Sequence, residues 1–376
     1  MKKVLGLLAV TAFMLAIGLV SCGGQTNTEL KTVKVGLQGN FGASAGFVGI
    51  EEGYFEKEGV KSEKQVLTGP NIIAGLKAGT VDIGFLGNGV SWNYFVPTNT
   101  PIKMLTIDNL SNDDRLIVNK ASTHAGVKTI TTSSSITELY TAFKGSTLAA
   151  DLTATPGSFL NSMLDKVNAG IAADKQIWYK NVDAKYPTTA TSGDEYKITI
   201  QNVANSSITA TMTGAEAPDF CIAFAPISAT LLLDTAKFAE GFTTAINMPE
   251  KLTPSTWAVS TSFLKDNKET VQKFMNGLVK SLDYRAGNIN GAAADTANQL
   301  RVDISTIITG VAYWPTAEDL KGYFSTVDGQ GMKYVTQIRN SQLSNTNLKD
   351  ITPLAAADVI DTSFLLNACE KVIAAK

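Results

Sequence analysis

Histidine and cysteine are almost missing from this chain of 376 residues, which has one of the first and three of the second. A single imidazole cannot assemble a histidine-based metal cluster. A Ser-His-Asp relay would depend wholly on His124, which sits in a Ser-Thr-His-Ala-Gly loop with no nucleophile-elbow motif to accompany it. His124 therefore reads as a solvated loop residue, and no catalytic residue, metal ligand or cofactor is assigned. Long basic runs are missing as well: 32 Lys and Arg stand against 34 Asp and Glu, a formal charge of −2. A slightly acidic chain without a basic patch has no electrostatic footprint for nucleic acid.

What is present begins at the N-terminus. Lys2 and Lys3 precede an apolar stretch from Val4 to Val20, and Leu19, Val20, Ser21 and Cys22 form a lipobox. That layout is a secretory signal rather than a membrane span, because about 17 apolar residues are at the lower limit for crossing a bilayer and the flanks are of signal type. The expectation is a signal peptide over 1–21, lipid on Cys22 (palmitate among its chains), and a flexible lipidated tether over 22–31. The protein is then held at the cell envelope, on a membrane facing the periplasm or the cell exterior. The two other cysteines, Cys221 and Cys369, lie in apolar stretches. A disulfide in an oxidising compartment and two free buried thiols both remain open.

Past the tether, short β-branched or apolar runs alternate with helical patterns, the mark of parallel sheets covered by helices. Val33 to Leu37 is a strand ending in a loop through Gly39, Asn40, Phe41 and Gly42; Phe47, Val48 and Ile50 give a short helix stopped by Gly53; a second strand lies at Lys64 to Leu67. The clearest unit follows. Pro70 suits a first helical turn, Ile72, Ile73 and Leu76 form its buried stripe, Gly79 ends it, and Asp82 leads into the strand Val81 to Leu86, which runs into Gly87, Asn88 and Gly89.

A related unit recurs near residue 210: a short helix Ser207 to Thr213 with Gly214 as its stop, then Asp219, the strand Phe220 to Phe224, and Ala225 with Pro226. A spacing of about 130 residues is too wide for a tandem repeat, whose period is about 20 to 50, and suggests two lobes of related construction with a cleft between them. The second lobe also carries the strand Thr147 to Ala150 and a helix whose stripe is Phe159, Leu160, Met163, Leu164 and Val167, with Thr155 as expected N-cap and Pro156 in the first turn. Open α/β folds place ligands at the carboxyl ends of such strands. Tyr196, Ile198 and Ile200 alternate with polar residues and read as an added surface strand. Trp257 to Ser260 is a further strand, Asp266 and Glu269 read as a capping box for the helix of Val271 to Leu282, Gly287 to Ala294 as a connection, and Ser363 to Ala375 as the last helix.

Three runs carry a resemblance: Phe47 to Gly59 with Gly-Tyr-Phe-Glu-Lys-Glu-Gly, Leu76 to Gly87 with Lys-Ala-Gly-Thr-Val-Asp-Ile-Gly-Phe-Leu-Gly, and Trp257 to Leu282. Together they resemble solute-binding lipoproteins of ABC importers, of the nitrate, sulfonate, taurine and thiamine-pyrimidine-precursor type. The resemblance implies a hinged two-lobe α/β fold of the periplasmic-binding-protein type (type II), each lobe a mostly parallel sheet covered by helices. On that plan lobe 1 is 32–118 with 242–376 and lobe 2 is 119–241. A monomer, it would close on a small-molecule solute and hand it to an ABC permease and its ATPase. It is not expected to be an enzyme. Residues 290–376 make the chain longer than that family usually is.

By position the family's ligand shell maps onto Asn40 and Phe41, onto Gly69, Pro70 and Asn71, onto Gly87 and Asn88, onto Thr155, Pro156, Gly157 and Ser158, and onto Ala225 and Pro226. Phe41, Trp92 and Tyr94 are candidates for a flat aromatic wall. The four arginines, Arg115, Arg285, Arg301 and Arg339, lie outside those loops. A bidentate clamp on a planar anion is thus not evident, and a neutral or aromatic heterocycle, or an oxyanion held by helix-end amides, fits better. Phe41→Ala and Asn88→Ala are expected to weaken solute binding with little change in the ligand-free melting temperature.

Overall fold

Thirteen strands in two sheets organise the described residues, which in this computed structural model are 30–376 apart from 98–100, 112–113, 182–183, 249–251, 308, 310–311, 344–347 and 349. The signal segment and Cys22 lie outside them. The chain lays down β1 (Lys31–Leu37), β2 (Val60–Val66), β3 (Ile83–Leu86) and β4 (Ile102–Ser111) in the first sheet. It then crosses to the second, with β5 (Arg115–Asn119), β6 (Thr147–Ala150), β7 (Trp178–Asn181), β8 (Ala184–Tyr186), β9 (Lys197–Asn202), β10 (Phe220–Ala223) and β11 (Phe238–Thr243). It returns as β12 (Thr253–Ser260) and β13 (Ala312–Tyr313). The orders are β13-β4-β12-β3-β1-β2 and β11-β5-β10-β6-β9-β7-β8. All four residues of β3 are buried, as expected of a strand covered by helices on both faces.

The relation between the lobes is visible strand by strand. Reading β2-β1-β3-β12-β4 against β9-β6-β10-β5-β11, the first three of each set are parallel and the last two join antiparallel. The strand that enters each lobe from the other, β5 or β12, takes the same place beside the third. The acidic residue before that third strand has the same task in both. Asp82 Oδ2 accepts from the Lys34 amide at 2.8 Å, and Asp219 Oδ2 accepts from the Thr147 amide at 2.8 Å, so each carboxylate fastens the neighbouring strand one residue before its pairing with the third strand begins. Such charge-assisted bonds are among the stronger ones.

Two crossings join the lobes, between Ser111 and Arg115 and between Thr243 and Thr253. They run side by side: Ser111 pairs with Thr253 on one side and Arg115 with Thr243 on the other. Strands β5 and β11 therefore lie wholly in the second sheet, a few residues outside the boundaries expected at 118/119 and 241/242.

Several local expectations give way to packing. Strand β9 is no surface addition, because it is parallel to both β6 and β7 inside the sheet, with Ile198 fully buried. Alternation reports one buried face and is silent on the strand's place in the sheet. Gly287 to Ala294 is mostly helix: Ile289–Leu300 starts where Asn288 Oδ1 accepts from the Gly291 amide, and Ala292, Ala293 and Ala297 bury against the helix Ser44–Glu51. An alanine run that reads as a linker is the best helix former once it has a surface to cover. The Asp266/Glu269 capping box does not form. Asn267 precedes the helix Lys268–Gly287 with no side-chain cap, and Glu269 pairs with Lys273 instead. The last helix is Ser363–Ala374, with Phe364, Leu365, Ala368 and Cys369 buried. Cys369 packs on the first lobe and Cys221 sits in β10 of the second, both free, which closes the disulfide alternative.

The same Ile289–Leu300 helix carries a titrating group. Asp295 is buried with Oδ2 lacking a partner, and burial first, then Glu52 and Glu51, push its carboxyl up to about 6. A carboxyl raised in the folded state favours folding below its unfolded value near 3.9, and that contribution is lost as the pH climbs through about 6. Asp295→Asn is therefore expected to stabilise the protein at pH 8 by about 1–2 kcal/mol after allowance for solvent screening, and to be neutral at pH 4. Urea midpoints at the two pH values test this; equal gains at both would refute it.

Candidate functional site

A cavity of about 850 Å³ lies between the lobes beside the crossings, in the size range of small-molecule sites. The crossings contribute Asp114 and Thr244 on one side and Thr253 and Pro254 on the other, and the Thr244 hydroxyl donates to the Asp114 carbonyl. The second lobe contributes the first turns of the helix Thr155–Val167. The first lobe contributes Asn88 and the helix Gln330–Gln342, so residues past 290 supply a wall of the cavity. That helix is tied at its middle and its C-terminal end: Gln337 Nε2 donates to the Leu252 carbonyl at 2.7 Å and Gln342 Nε2 to the Asn88 carbonyl at 3.4 Å.

Three of the expected ligand-shell residues line this space: Asn88, Thr155 and Ser158. Asn88 is buried, and Ser91 Oγ bonds both its carbonyl and its Oδ1. Thr155 is not the N-cap, which is Ala154 without a side-chain bond; Thr155 is the first helical residue, Pro156 the second, and the Thr155 hydroxyl donates to Asp114 Oδ1 at 2.9 Å. Gly157 is required by proximity, since a Cβ there would fall 2.5 Å from the Leu152 carbonyl oxygen.

The other expected residues stand at the carboxyl ends of the strands but outside the cavity lining. Asn40 opens a 3₁₀ turn with Oδ1 buried and unpartnered. Gly69 and Gly87 flank Gln38, whose side-chain amide would lie 3.0 Å and 3.8 Å from a Cβ on each, while Pro70 and Asn71 are exposed in the first turn of Gly69–Ala78. Ala225 and Pro226 follow β10, joined by a cis peptide.

The aromatic wall is not assembled. Phe41 is buried edge-on against Trp314, ring centroids 5.2 Å apart, Tyr94 is fully enclosed with its hydroxyl 2.9 Å from Thr256 Oγ1, and Trp92 is half-buried beneath the Lys77 ammonium. Gln38, Asp114, Trp314 and the Gln330–Gln342 helix escaped the sequence reading. An acid just before a strand gave the only local signal, at Asp114.

Because Phe41 is core, Phe41→Ala is expected to cost about 3 kcal/mol or more of stability, against the small change expected from the sequence. Asn88→Ala should weaken solute binding with a modest change in melting temperature. Thermal melts with and without solute separate the two, and an Asn88→Ala protein of unchanged affinity would remove Asn88 from the site.

The lobes approach closely at Gly89. A Cβ on Gly89 would stand 3.1 Å from Ala154 Cα, so the loop after β3 abuts the residue that starts the second lobe's helix. Three of the four arginines are engaged elsewhere: Arg285 with Asp108, Arg115 with Glu240, and Arg339 with the carbonyls of Leu354 and Pro353. His124 lies away from the cavity, its ring nitrogen 2.7 Å from the Lys144 carbonyl oxygen. Burial raises the thiols of Cys221 and Cys369, the latter to about 12, so neither is a poised nucleophile.

No family model matches the chain. Curated relatives in Brucella abortus (strain 2308) and Brucella suis biovar 1 (strain 1330), each named only as a candidate binding protein, are 24% identical over 279 residues, 74% of this chain and 74% of theirs. Among solved structures, the periplasmic aliphatic sulphonate binding protein of Escherichia coli superposes with a TM-score of 0.59 at 12% identity, covering 88% of this chain and 97% of that one. The periplasmic nitrate-binding protein of Synechocystis PCC 6803 gives 0.59 at 13%, over 92% and 89%. The desulfurization enzyme DSZB gives 0.58 at 13%, over 91% and 99%. The fold is that of the periplasmic binding proteins: two lobes of mixed sheets covered by helices.

Proposed function

We propose that this chain is an extracytoplasmic solute-binding lipoprotein of an ABC importer. It is anchored through lipid on Cys22, closes on one small molecule of the nitrate, sulfonate or pyrimidine-precursor class, and delivers that molecule to a permease and its ATPase. The observation that carries the reading is the cavity of about 850 Å³ at the paired crossings, walled by both lobes and therefore able to change shape as they move. The curated relatives and the importer-type structural neighbours support a binding role. Among the described residues no helix is long and apolar enough to cross a membrane. Acyl labelling of the wild type and of Cys22→Ser tests the anchor. A thermal-shift panel of nitrate, sulfonates, pyrimidines, amino acids and vitamins tests the binding role, since a native-state ligand raises stability as RT ln(1 + [L]/Kd). A panel and a cell extract that leave the melting point unmoved would overturn it.

The likeness to DSZB favours a second reading, an enzyme on the same fold. Among the described residues the cavity lining holds neither cysteine nor histidine, so a thiol- or imidazole-based mechanism lacks its groups there. Turnover of a panel compound by the purified protein would favour it. A lipoprotein that passes its closed state to a signalling receptor is a third reading, told apart by whether a permease engages the closed form.

A further inference from the structure

We infer that the solute is bridged between two helices, one from each lobe, and that Thr336 and Asn340 on Gln330–Gln342 bind it together with Ser158 and Ser162 on Thr155–Val167. This rests on the binding role proposed above and adds a first-lobe contact from the C-terminal part of the chain. Both helices line the cavity with uncharged polar side chains, and half of these are spent on the fold. The Thr155 hydroxyl donates to Asp114 Oδ1, Asn161 Oδ1 accepts from the Tyr179 hydroxyl, Gln337 Nε2 donates to the Leu252 carbonyl, and the Ser341 hydroxyl donates to that of Ile338. The others are Ser158, Ser162, Thr336 and Asn340, whose side chains have no partner among the described residues. A helical threonine often returns its hydroxyl to the carbonyl one turn back, as Thr141 and Thr211 do, and Thr336 does not.

Each pair is spaced four residues apart, so its two members stand one turn apart on a single face. Hydroxyls and a carboxamide both donate and accept, which lets each pair serve a solute in either sense. The first-lobe helix cannot yield when a ligand presses on it. Val335 and Ile338 on its other face are buried in the core, and a Cβ on Gly331 would fall 2.6 Å from the Phe324 ring. The Gln337 bond to the Leu252 carbonyl ties it to the residue just ahead of β12. Thr336 and Asn340 therefore move with the first lobe, and Ser158 and Ser162 with the second. A solute that hydrogen-bonds both pairs is fully held only when the lobes are together, so its binding favours the closed form.

The experiment is calorimetry and small-angle scattering on the mature chain with nitrate, ethanesulfonate, taurine, thymine and thiamine. Native mass spectrometry of protein equilibrated with a small-molecule cell extract adds any compound the protein retains. For the compound bound most tightly, Thr336→Val and Asn340→Leu are each expected to weaken binding severalfold, and together tenfold or more. Ser158→Ala with Ser162→Ala, on the other helix, is expected to do the same. Both double variants should also lose the compaction that the compound brings to the wild type. Gln330→Leu, on the first-lobe helix but off the cavity lining, should keep the wild-type affinity. Thr336 and Asn340 are exposed, so ligand-free melting temperatures within a degree or two of the wild type separate lost binding from lost fold. Should Asn340→Leu melt early, Thr336→Val, which keeps the shape of the side chain, carries the test. Unchanged affinity in either double variant, or an equal loss in Gln330→Leu, overturns the bridge and leaves the receptor reading standing. A wild-type protein that retains nothing from the compounds or the extract overturns both.

Discussion

Arg285→Met is expected to lower the stability of the fold by about 3–5 kcal/mol, the range for removing one member of a buried ion pair. Arg285 and Asp108 are wholly enclosed, with Nη1 2.8 Å from Oδ1. The remaining capacity of the pair is nearly used up. Nη2 donates to the Asp108 carbonyl at 2.9 Å, Nη1 to Ser44 Oγ at 3.2 Å, and Trp257 Nε1 and Asn109 Nδ2 donate to the carboxylate at 2.6 and 2.7 Å. The Trp314 ring covers the guanidinium, with its centroid 4.3 Å from Cζ. Burial pulls the Arg285 pKa below its ordinary value and the Asp108 charge opposes that pull. Without the arginine, Asp108 would be an ionised carboxylate held by two neutral donors in an apolar core. Arg285→Met combined with Asp108→Asn removes both charges and should recover most of the loss, because Trp257 and Asn109 still find an acceptor. Urea unfolding of the two single variants and the double variant measures this. A loss below about 1 kcal/mol for Arg285→Met would show that the pair is not the bond its geometry describes.

That network also shows how far the sequence can be read. The helix Gly69–Ala78 was legible because every signal for it is local: Pro70 in the first turn, an apolar stripe, and Gly79 at φ 73, a left-handed conformation that glycine takes without penalty. The helix Thr155–Val167 was legible for the same reason. The acids before β3 and β10 stood out in sequence, but their purpose, holding an amide of a neighbouring strand 48 or 72 residues away, belongs to the sheet. Arg285 lies 177 residues from Asp108 and Phe41 is covered by Trp314, so nothing near either in sequence announces the contact. The cavity is the extreme case. The resemblance placed Asn88, Thr155 and Ser158, which follow strands, yet the helix Gln330–Gln342 arrives from a part of the chain with no counterpart in that resemblance. Its polar positions Lys333, Thr336, Gln337 and Asn340 would pass for a solvated face.

Gly89→Val should convert the protein into one that cannot close, lowering affinity for its solute tenfold or more while the ligand-free melting temperature stays within a degree or two. The backbone at Gly89 does not have the positive φ that would make a side chain strained, and its loop is only half-buried, so the lobe itself tolerates the change. What it does not tolerate is contact with the other lobe. The first carbon of the new side chain would already stand 3.1 Å from Ala154 Cα and 3.6 Å from Ala154 Cβ, and the two methyl groups beyond it have no room. Ala154 cannot yield, because it is the residue from which the helix Thr155–Val167 starts, and Gly157 is jammed against the Leu152 carbonyl just behind it. The lobes must therefore swing apart about the paired crossings, carrying Thr155 and Ser158 away from Asn88. A ligand that binds only the closed form then loses affinity in proportion to the fall in that form's population. Small-angle scattering should show a larger radius of gyration for Gly89→Val with solute present, and calorimetry the weaker binding. Equal affinity together with an unchanged radius would mean that the two lobes do not need to meet at Gly89 for the solute to be held.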